Sequence, residues 1–231
     1  MCLHPIAAKG KWREGWSPRC FDIAPPDPDN GSTKFGKVRM ARPRSGDKRA
    51  DIREATIREV VERGVSRASV NSIAGRARLS VGTIYRYFEN KDDLLASVFF
   101  DVKQDVHATL MSEADRHDTA SERIRAVWFA LVGHARENPD DFLFAEAVLG
   151  EVDLSDEQRR GVDRMAGEMG AILRSAMDDG TLAPARVPAV MAVLTAPAIQ
   201  LARRAALANA APDMALAEEI FEITWRAIES R

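Results

Sequence analysis

The fold of this chain is decided by the stretch Leu79-Ser80-Val81-Gly82-Thr83-Ile84-Tyr85-Arg86-Tyr87-Phe88, closed by Asn90-Lys91. Ser80 is a suitable N-cap for a short helix over residues 81–88, and Ser69 is a similar cap for a helix over residues 70–77. The second of these helices carries an arginine and two tyrosine hydroxyls. Two short helices joined by a tight turn, the second one bearing such groups, fit the major groove of DNA.

Helical periodicity continues on both sides of this helix pair. Gly64 ends the preceding helix as a C′ glycine, and Asn90 caps the following one. Neither an alternating strand pattern of useful length nor an internal repeat occurs, so the predicted fold is all-α with about nine helices. The further helices are predicted over residues 48–63, 91–117, a segment around 124–132, a short helix from Pro139, a helix from a capping box at Ser155 to Asp178, and residues 188–208 and 214–230.

Composition divides the chain into three segments. Residues 1–45 lack periodicity and are rich in Pro, Gly and Asp, which predicts a disordered basic extension. Met40 is itself a natural start, so residues 1–39 are open to interpretation as an upstream extension without function. Residues 46–95 form the predicted helix-turn-helix domain, and residues 96–231 form a second, helical domain.

Charge and cysteine content narrow the function further. Residues 1–50 carry a net charge of +6, whereas residues 97–231 carry −9. This asymmetry favours a chain whose first part meets a polyanion; a solvated acidic surface with a basic tail is the alternative. The two cysteines, Cys2 and Cys20, are too few for a disulfide framework or a thiolate metal site. We therefore expect a cytoplasmic protein in a reducing environment.

Neither a secretion signal nor a membrane span is indicated. Residues 1–20 contain no continuous apolar region of the kind that a signal peptide needs. The longest uncharged apolar stretch, Val187 to Ala202, is interrupted by Pro188 and Pro197. It is short for a membrane span and predicts a buried helix.

A DNA reader needs phosphate anchors, side chains that reach base edges and apolar residues that hold the helix pair rigid. Arg86 is the candidate for a bidentate contact with guanine. The amides of Val81 and Gly82, at the start of the third helix, suit an anion, and Gly82 also removes side-chain bulk towards the groove. Hydroxyl groups and a charge for further contacts are offered by Ser69, Thr83, Tyr85, Tyr87 and Lys91.

A basic arm precedes the helices, and such arms bind phosphate or the minor groove. Its members are Lys34, Lys37, Arg39, Arg42, Arg44, Lys48 and Arg49, of which Arg44 is a predicted DNA contact. A purely structural interpretation competes for the individual residues of the helix pair. Tyr85 and Phe88 are also suitable core residues of a helical hairpin, and Thr83 is a suitable helix-start residue.

Residues 48–95 resemble the N-terminal DNA-binding domain of the tetracycline-repressor (TetR, or AcrR-like) family of transcriptional regulators. The resemblance covers about a fifth of the chain. It implies a homodimeric DNA-binding regulator that recognises a palindromic operator on double-stranded DNA. The matching residues are Ile52, Ala55, Gly64, Ser69-Val70, Ile73-Ala74, Ala77, Ser80, Gly82-Thr83, Tyr85, Tyr87-Phe88, Lys91 and Leu94-Leu95.

The chain departs from this family pattern at a few positions. Arg78 stands where the family usually has the glycine of the turn, at a cost of roughly 1 kcal/mol if its φ is positive. It is a further candidate for a contact with the DNA backbone. Ala68 replaces a hydroxyl residue that often grips phosphate. Glu59 and Val60 replace a commoner Leu-Phe pair, from which we expect lighter packing of the first helix.

By the same resemblance, the C-terminal helices form a ligand-binding and dimerisation domain. An inducer is expected to move the fourth helix and change the spacing of two reading heads that fit the DNA at about 34–36 Å. Predicted pocket residues are Trp128, Leu131, Phe144, Val148, Met165, Met169 and Leu173. Predicted dimer residues are Val190, Val193, Leu194, Ala198 and Leu201, with Leu216, Ile220, Phe221, Thr224 and Ile228. Ordinary core packing is the alternative for each of these residues.

Three rival functions remain at this point. An all-helical enzyme needs His and carboxylate groups at ligand spacing, whereas His107, His117 and His134 are scattered and lack a Glu-x-x-His motif. We therefore expect neither a metal, nor a cofactor, nor catalysis. A regulator without a ligand and an activator of the same fold are the other two alternatives.

Overall fold

The computed structural model describes residues 47–208 and 210–230. All of them belong to one compact unit. The predictions for residues 1–45, including Arg44, the arm up to that residue and both cysteines, lie outside the described residues. Within the described ranges the chain forms nine helices and a single isolated β-bridge, so the predicted all-α fold is confirmed.

The helices follow one another with short connections. Their bounds are α1 Lys48–Arg63, α2 Val70–Ala77, α3 Val81–Ile84, α4 Lys91–Ala114, α5 Ala120–Glu137, α6 Pro139–Val148, α7 Asp156–Asp178, α8 Val187–Leu207 and α9 Met214–Arg226.

The caps predicted from the sequence start these helices. The side chains of Ser69, Ser80 and Asn90 each accept a hydrogen bond from a backbone amide in the first turn of α2, α3 and α4. Ser155 forms the predicted capping box with Gln158 at the start of α7. Each cap satisfies an amide that the helix itself leaves without a partner.

Three helices end earlier than predicted, because tighter hydrogen bonds replace the helical pattern. After α3 the amide of Tyr87 bonds the carbonyl of Ile84 at 2.9 Å, three residues back, so residues 85–87 form tight turns instead of continuing the helix to 88. α4 ends at Ala114, before the predicted 117, with similar bonds. α9 ends at Arg226, before the predicted 230, because the following residues pair with the segment before α8.

Two clusters of buried apolar side chains hold the bundle together. The first joins α1, α2 and α3 to the first half of α4 and to α6, and Ile52, Leu95 and Phe144 are at its centre. The second joins the end of α4 to α5, α7, α8 and α9. α4 is therefore the element that contributes to both clusters, one at each of its ends.

The first helix is held to the second by a buried carboxylate, which corrects the expectation of light packing. Glu59 is only 1% exposed, and its Oε2 accepts a hydrogen bond of 2.9 Å from Nε of Arg76. Arg76 also bonds Glu62 on α1. The guanidinium holds the pKa of the Glu62 carboxyl below its usual value, and the carboxylates raise the pKa of Arg76. A polar clamp thus replaces part of an apolar contact.

Helices α4 and α7 approach closely at Gly161. A Cβ atom at this position would lie 2.5 Å from the ring of Phe100, which is shorter than a real contact. The absence of a side chain therefore sets how near the two helices come. This approach positions the second half of α4 against α7, where the internal cavity described below is located.

Candidate nucleic-acid interface and internal cavity

The turn between α2 and α3 is closed by backbone hydrogen bonds. Arg78 adopts the left-handed conformation with φ of 57°, so the condition attached to its expected cost is met. The amide of Leu79 then bonds the carbonyl of Ala74 at 2.9 Å. The predicted cost of a non-glycine residue at positive φ, roughly 1 kcal/mol, therefore applies here. The side chain of Arg78 is exposed beside the turn.

Three consecutive exposed side chains follow α3, and two buried ones hold them in place. Tyr85 is 53% exposed and Tyr87 is 44% exposed, with Arg86 exposed between them. Ile84 and Phe88 are only 1% and 3% exposed and anchor the segment in the first core cluster. The alternative of a core position therefore holds for Phe88 and not for Tyr85. We call Tyr85, Arg86 and Tyr87 the exposed triplet.

Arg86 has no ion-pair partner within residues 47–208 and 210–230. By contrast, Arg76 in the same domain is held by two glutamates. An unpaired guanidinium between two exposed tyrosines is available to a phosphate or a base edge.

Other predicted contact residues also form hydrogen bonds within the protein. Ser69 Oγ accepts the amide of Ser72, and Thr83 Oγ1 lies 2.8 Å from Ser80 Oγ. Lys91 Nζ donates to the backbone carbonyl of Val65 at 2.7 Å. These bonds favour the helix-start reading of Thr83 and give Lys91 a structural role that the sequence did not reveal. Ser69 and Thr83 retain oxygens at the exposed edge of their helices.

Gly82 and Val81 occupy the first turn of α3, on the same side of the domain as the triplet. A Cβ atom at Gly82 would meet nothing nearer than Ser80 Oγ at 3.9 Å. The fold therefore leaves room for a side chain at this position.

Acidic residues of α4 and α6 hold two arginines of α1. Nη2 of Arg53 donates at 2.8 Å both to Asp105 on α4 and to Asp141 on α6. One turn earlier, Arg49 lies 3.7 Å from Asp101. Burial raises the pKa of both Asp101 and Asp141. This contact was not predicted from the sequence. The pattern that indicates it is a pair of arginines four residues apart on α1 and a pair of aspartates four residues apart on α4.

His134 on α5 lies near the same charges and is half-buried. Burial is the largest influence on its pKa and lowers it below the ordinary 6.5, against the opposing effect of Asp141 and Asp105. A depressed histidine pKa contributes stability that is present above the unfolded-state value and is lost as the pH falls below it. We therefore expect the free energy of unfolding to be lower at about pH 5.5 than at about pH 7.5.

This pH dependence is measurable by urea unfolding at the two pH values. His134→Gln should flatten it, and His117→Gln, at an exposed position just beyond α4, should leave it unchanged. Equal slopes for the wild type and His134→Gln would contradict the burial of a neutral imidazole at this position.

A cavity of about 50 Å³, which partly opens to solvent, lies between α4, α5, α7 and α8. Four of the seven predicted pocket residues line it: Trp128, Leu131, Met169 and Leu173.

The other three predicted pocket residues lie elsewhere, and the prediction is corrected for them. Phe144 and Val148 are fully buried in the first core cluster, below α1 and α4, because α6 packs against the helix-turn-helix domain. Met165 lies on α7 about one turn before Met169 and is not part of the cavity wall.

Residues that were not predicted for the pocket complete the cavity wall. They come from α4, with Leu110, from α5, with Ile124 and Val127, and from α7, with Ile172. Three more come from α8, namely Met191, Leu194 and Thr195. Their spacing is that of ordinary core residues, so periodicity alone does not separate the wall of a cavity from a filled core.

The predicted dimer residues are mostly core residues of the single chain, which corrects that prediction. Those buried in the second cluster, at 7% exposure or less, are Val190, Leu194, Ala198, Leu201, Phe221, Thr224 and Ile228. Leu216 and Ile220 are half-buried, and only Val193 is exposed, at 43%. An apolar helix surrounded by others buries its best apolar face internally, so the face left for a partner is the opposite one.

That opposite face of α8 is apolar as well. We call it the α8 stripe, and it consists of the exposed residues Ala189, Ala192, Val193, Ala196, Gln200, Arg203 and Leu207. Of the described helices, α8 alone is long and apolar enough to cross a membrane by length and composition, yet only 39% of its apolar window is buried. Its buried face packs in the second cluster, which agrees with the predicted core helix, and its stripe is left uncovered.

Residues 47–208 and 210–230 contain no group of three or more His, Cys, Asp or Glu that converges on a metal position. His107, the histidine nearest to α7, is 2.7 Å from Glu168 and forms a pair with it. The chemistry of the described residues is thus an exposed basic-aromatic triplet at one end of the molecule and an apolar cavity at the other.

Comparison with known proteins finds relatives of the helix-turn-helix segment that carries the exposed triplet. Residues 52–98 match the family described as bacterial regulatory proteins, tetR family. The HTH-type transcriptional regulator PksA of Bacillus subtilis is 35% identical over 112 residues, which cover 41% of this chain and 55% of PksA. The chain therefore spans about half the length of this curated relative.

Similar solved structures extend beyond the helix-turn-helix domain. A TetR family transcription regulator from Marinobacter aquaeolei has a TM-score of 0.72 and 27% identity, covering 80% of this chain and 96% of that one. A TetR-family transcriptional regulator from Haemophilus influenzae has a TM-score of 0.68 and 25% identity, covering 80% and 97%. Residues 52–98 thus match the domain of the tetR family of bacterial regulatory proteins, and 80% of the chain is similar in fold to a TetR family transcription regulator.

Proposed function

We propose that the protein is a cytoplasmic, non-enzymatic regulator of transcription, a homodimeric repressor that binds a palindromic operator and is released by a small molecule. The observation that carries this proposal is the exposed triplet on the segment after α3, anchored by buried Ile84 and Phe88. Exposed tyrosines beside a helix-turn-helix turn, with an arginine between them that has no ion-pair partner in the described residues, suit phosphate and base-edge contacts.

A dimer supplies the second reading head. One helix-turn-helix buries too little surface for useful specificity, and a two-fold dimer matches a palindrome. The α8 stripe supports this part of the proposal, because an exposed apolar face on a long helix favours an isologous contact with a second copy. Within the stripe, Arg203 is paired with Glu146 at 3.2 Å.

The dimer contact is open to a direct test. Val193→Arg, on the stripe, should convert the protein to a monomer in analytical ultracentrifugation, because an unpaired charge would be desolvated in the contact. Leu149→Arg is the matched control, since Leu149 is 44% exposed and Val193 is 43% exposed. A wild-type monomer, or a Val193→Arg variant that remains a dimer, would move the interface to another surface.

The route from cavity to DNA runs along α4. Leu110, near its end, lines the cavity, while Asp101 and Asp105 hold the arginines of α1. A ligand that prefers one position of α4 therefore biases the position of the reading head by its differential affinity for the two states. Without such a difference the protein acts as a ligand-independent regulator, which is the second candidate function.

Selection of bound duplexes from a random pool tests the DNA-binding part of the proposal. We expect a palindromic consensus whose half-sites are about one helical turn apart. Release of the selected duplex by a small molecule separates the ligand-dependent repressor from the ligand-independent one, and a promoter fusion separates repression from activation. A protein that ignores duplex DNA at low salt would overturn the proposal.

Tyr87→Phe should weaken binding equally on operator and random duplexes, because its hydroxyl is assigned to phosphate and not to a base. The expected loss is roughly fivefold, equivalent to a hydrogen bond of about 1 kcal/mol. Fluorescence anisotropy on both duplexes measures it. Tyr87 is 44% exposed, so the thermal stability should not change. A loss confined to the operator would instead place the hydroxyl at a base edge.

A further inference from the structure

The cavity wall carries apolar side chains in every direction and no charged group. Its aromatic member is Trp128 and its adaptable members are Met169 and Met191, on α7 and α8. Thioether sulfurs pack favourably against ring edges, and methionine adjusts its shape to an irregular guest. The wall therefore suits an apolar guest, and an aromatic ring is able to pack against its tryptophan and methionine side chains.

The two polar groups of the wall are already bonded within the chain. Trp128 Nε1 donates to the carbonyl of Leu194 at 2.9 Å, and Thr195 Oγ1 donates to the carbonyl of Met191 at 2.9 Å. The indole has no further capacity, whereas the threonine oxygen can still accept. A ligand thus meets a single acceptor at Thr195 and no donor to bind an anion.

Charge on the ligand is disfavoured by the same geometry. A carboxylate or ammonium group that enters an apolar cavity gives up its hydration and needs a paired counter-charge to offset the loss. The arginine of α5 that is nearest to the second core, Arg125, is engaged outside the cavity wall by Glu218 and Glu222 on α9. Water is also disfavoured in this cavity, because a buried water needs two to four polar partners.

Resting on the proposed ligand-responsive function, we infer that the effector is an uncharged aromatic compound with at most one hydroxyl group, which donates to Thr195 Oγ1. The rings occupy the space between Trp128, Met169 and Leu173, and no ionised group enters. Leu110 of α4 touches the guest, which is how its presence reaches the reading head.

The test uses a matched set of probes of one shape: naphthalene, 1-naphthol and 1-naphthoate. Binding to the full-length protein, free of DNA, is measured by calorimetry at neutral pH, where the alcohol is neutral and the carboxylate ionised. We expect 1-naphthol to bind and 1-naphthoate to bind at least about tenfold more weakly, because its charge remains unpaired. Equal binding of the two, or binding of neither, would overturn the inference.

Two variants locate the binding. Met169→Trp fills the cavity from a half-buried position and should abolish 1-naphthol binding, with circular dichroism to verify the fold. Thr195→Val keeps the shape and should weaken 1-naphthol by about fivefold while leaving naphthalene unchanged. Retained 1-naphthol affinity in a folded Met169→Trp protein would also overturn the inference. DNA binding is measured separately without probes, so a failed regulator and a wrong ligand class give different results.

Discussion

Arg86→Ala should abolish most of the specific affinity for the operator while leaving the fold intact. A good bidentate contact between arginine and guanine is worth about 1–3 kcal/mol, which corresponds to a loss of roughly fivefold to 150-fold. Arg86 is exposed and has no ion-pair partner in the described ranges, so its truncation removes no internal bond. Because the lost contact is with a base, preference at one operator position should relax as well.

The comparison that isolates this contact is Arg160→Ala. Arg160 is also exposed, on α7, so its removal changes the net charge equally without touching the triplet. Electrophoretic mobility shifts at several salt concentrations should show near-normal operator binding for Arg160→Ala. If Arg86→Ala and Arg160→Ala lost the same small amount, Arg86 would contribute only general charge, and the triplet would not face the groove.

Phe144→Ala should lower the free energy of unfolding by about 3–5 kcal/mol, the usual range for truncation of a fully buried phenylalanine. The ring is 0% exposed within the cluster that joins α1, α4 and α6. For a chain of this size, the midpoint of thermal unfolding should fall by roughly 10 °C. The reading head rests on this cluster, so operator binding should weaken near the lowered midpoint.

Phe142→Ala provides the control on the same helix. Phe142 is only half-buried, and its truncation should cost clearly less. The two variants also decide where Phe144 belongs. A stable Phe144→Ala protein that had lost 1-naphthol binding would return this ring to the pocket, against its position in the first core cluster.

Local chemistry was predictable where one residue type performs one task. Ser69, Ser80 and Asn90 were identified as caps because short polar side chains satisfy first-turn amides, and the structure shows those bonds. Arg78 was recognised as a non-glycine residue at a turn that needs positive φ, and it adopts 57°. Such features depend on a few neighbouring residues, which the sequence displays directly.

Tertiary choices were not predictable in the same way. The heptad-like apolar pattern of α8 predicts that one face of the helix is buried. It does not indicate whether helices of the same chain or a second copy of the chain bury that face. Val190, Leu194 and Ala198 turned inward, and the weaker face, with its alanines, was left outside. The clamp of Glu59 on Arg76 was hidden for a related reason. A glutamate in a helix is normally predicted to lie on the surface. Burial of Glu59 becomes understandable only when the fold brings Arg76, 17 positions away in sequence, into contact with it.

The length of α4 has a mechanical consequence. About 19 residues separate Lys91 at its start from Leu110 at the cavity, which is about 28 Å of helix. Such a rod works as a lever: a tilt of about 6° around one end carries the other end by about 3 Å. That displacement equals the length of a hydrogen bond. In the proposed mechanism, a guest that tilts α4 from the cavity end by this amount would displace the polar contacts at the Lys91 end.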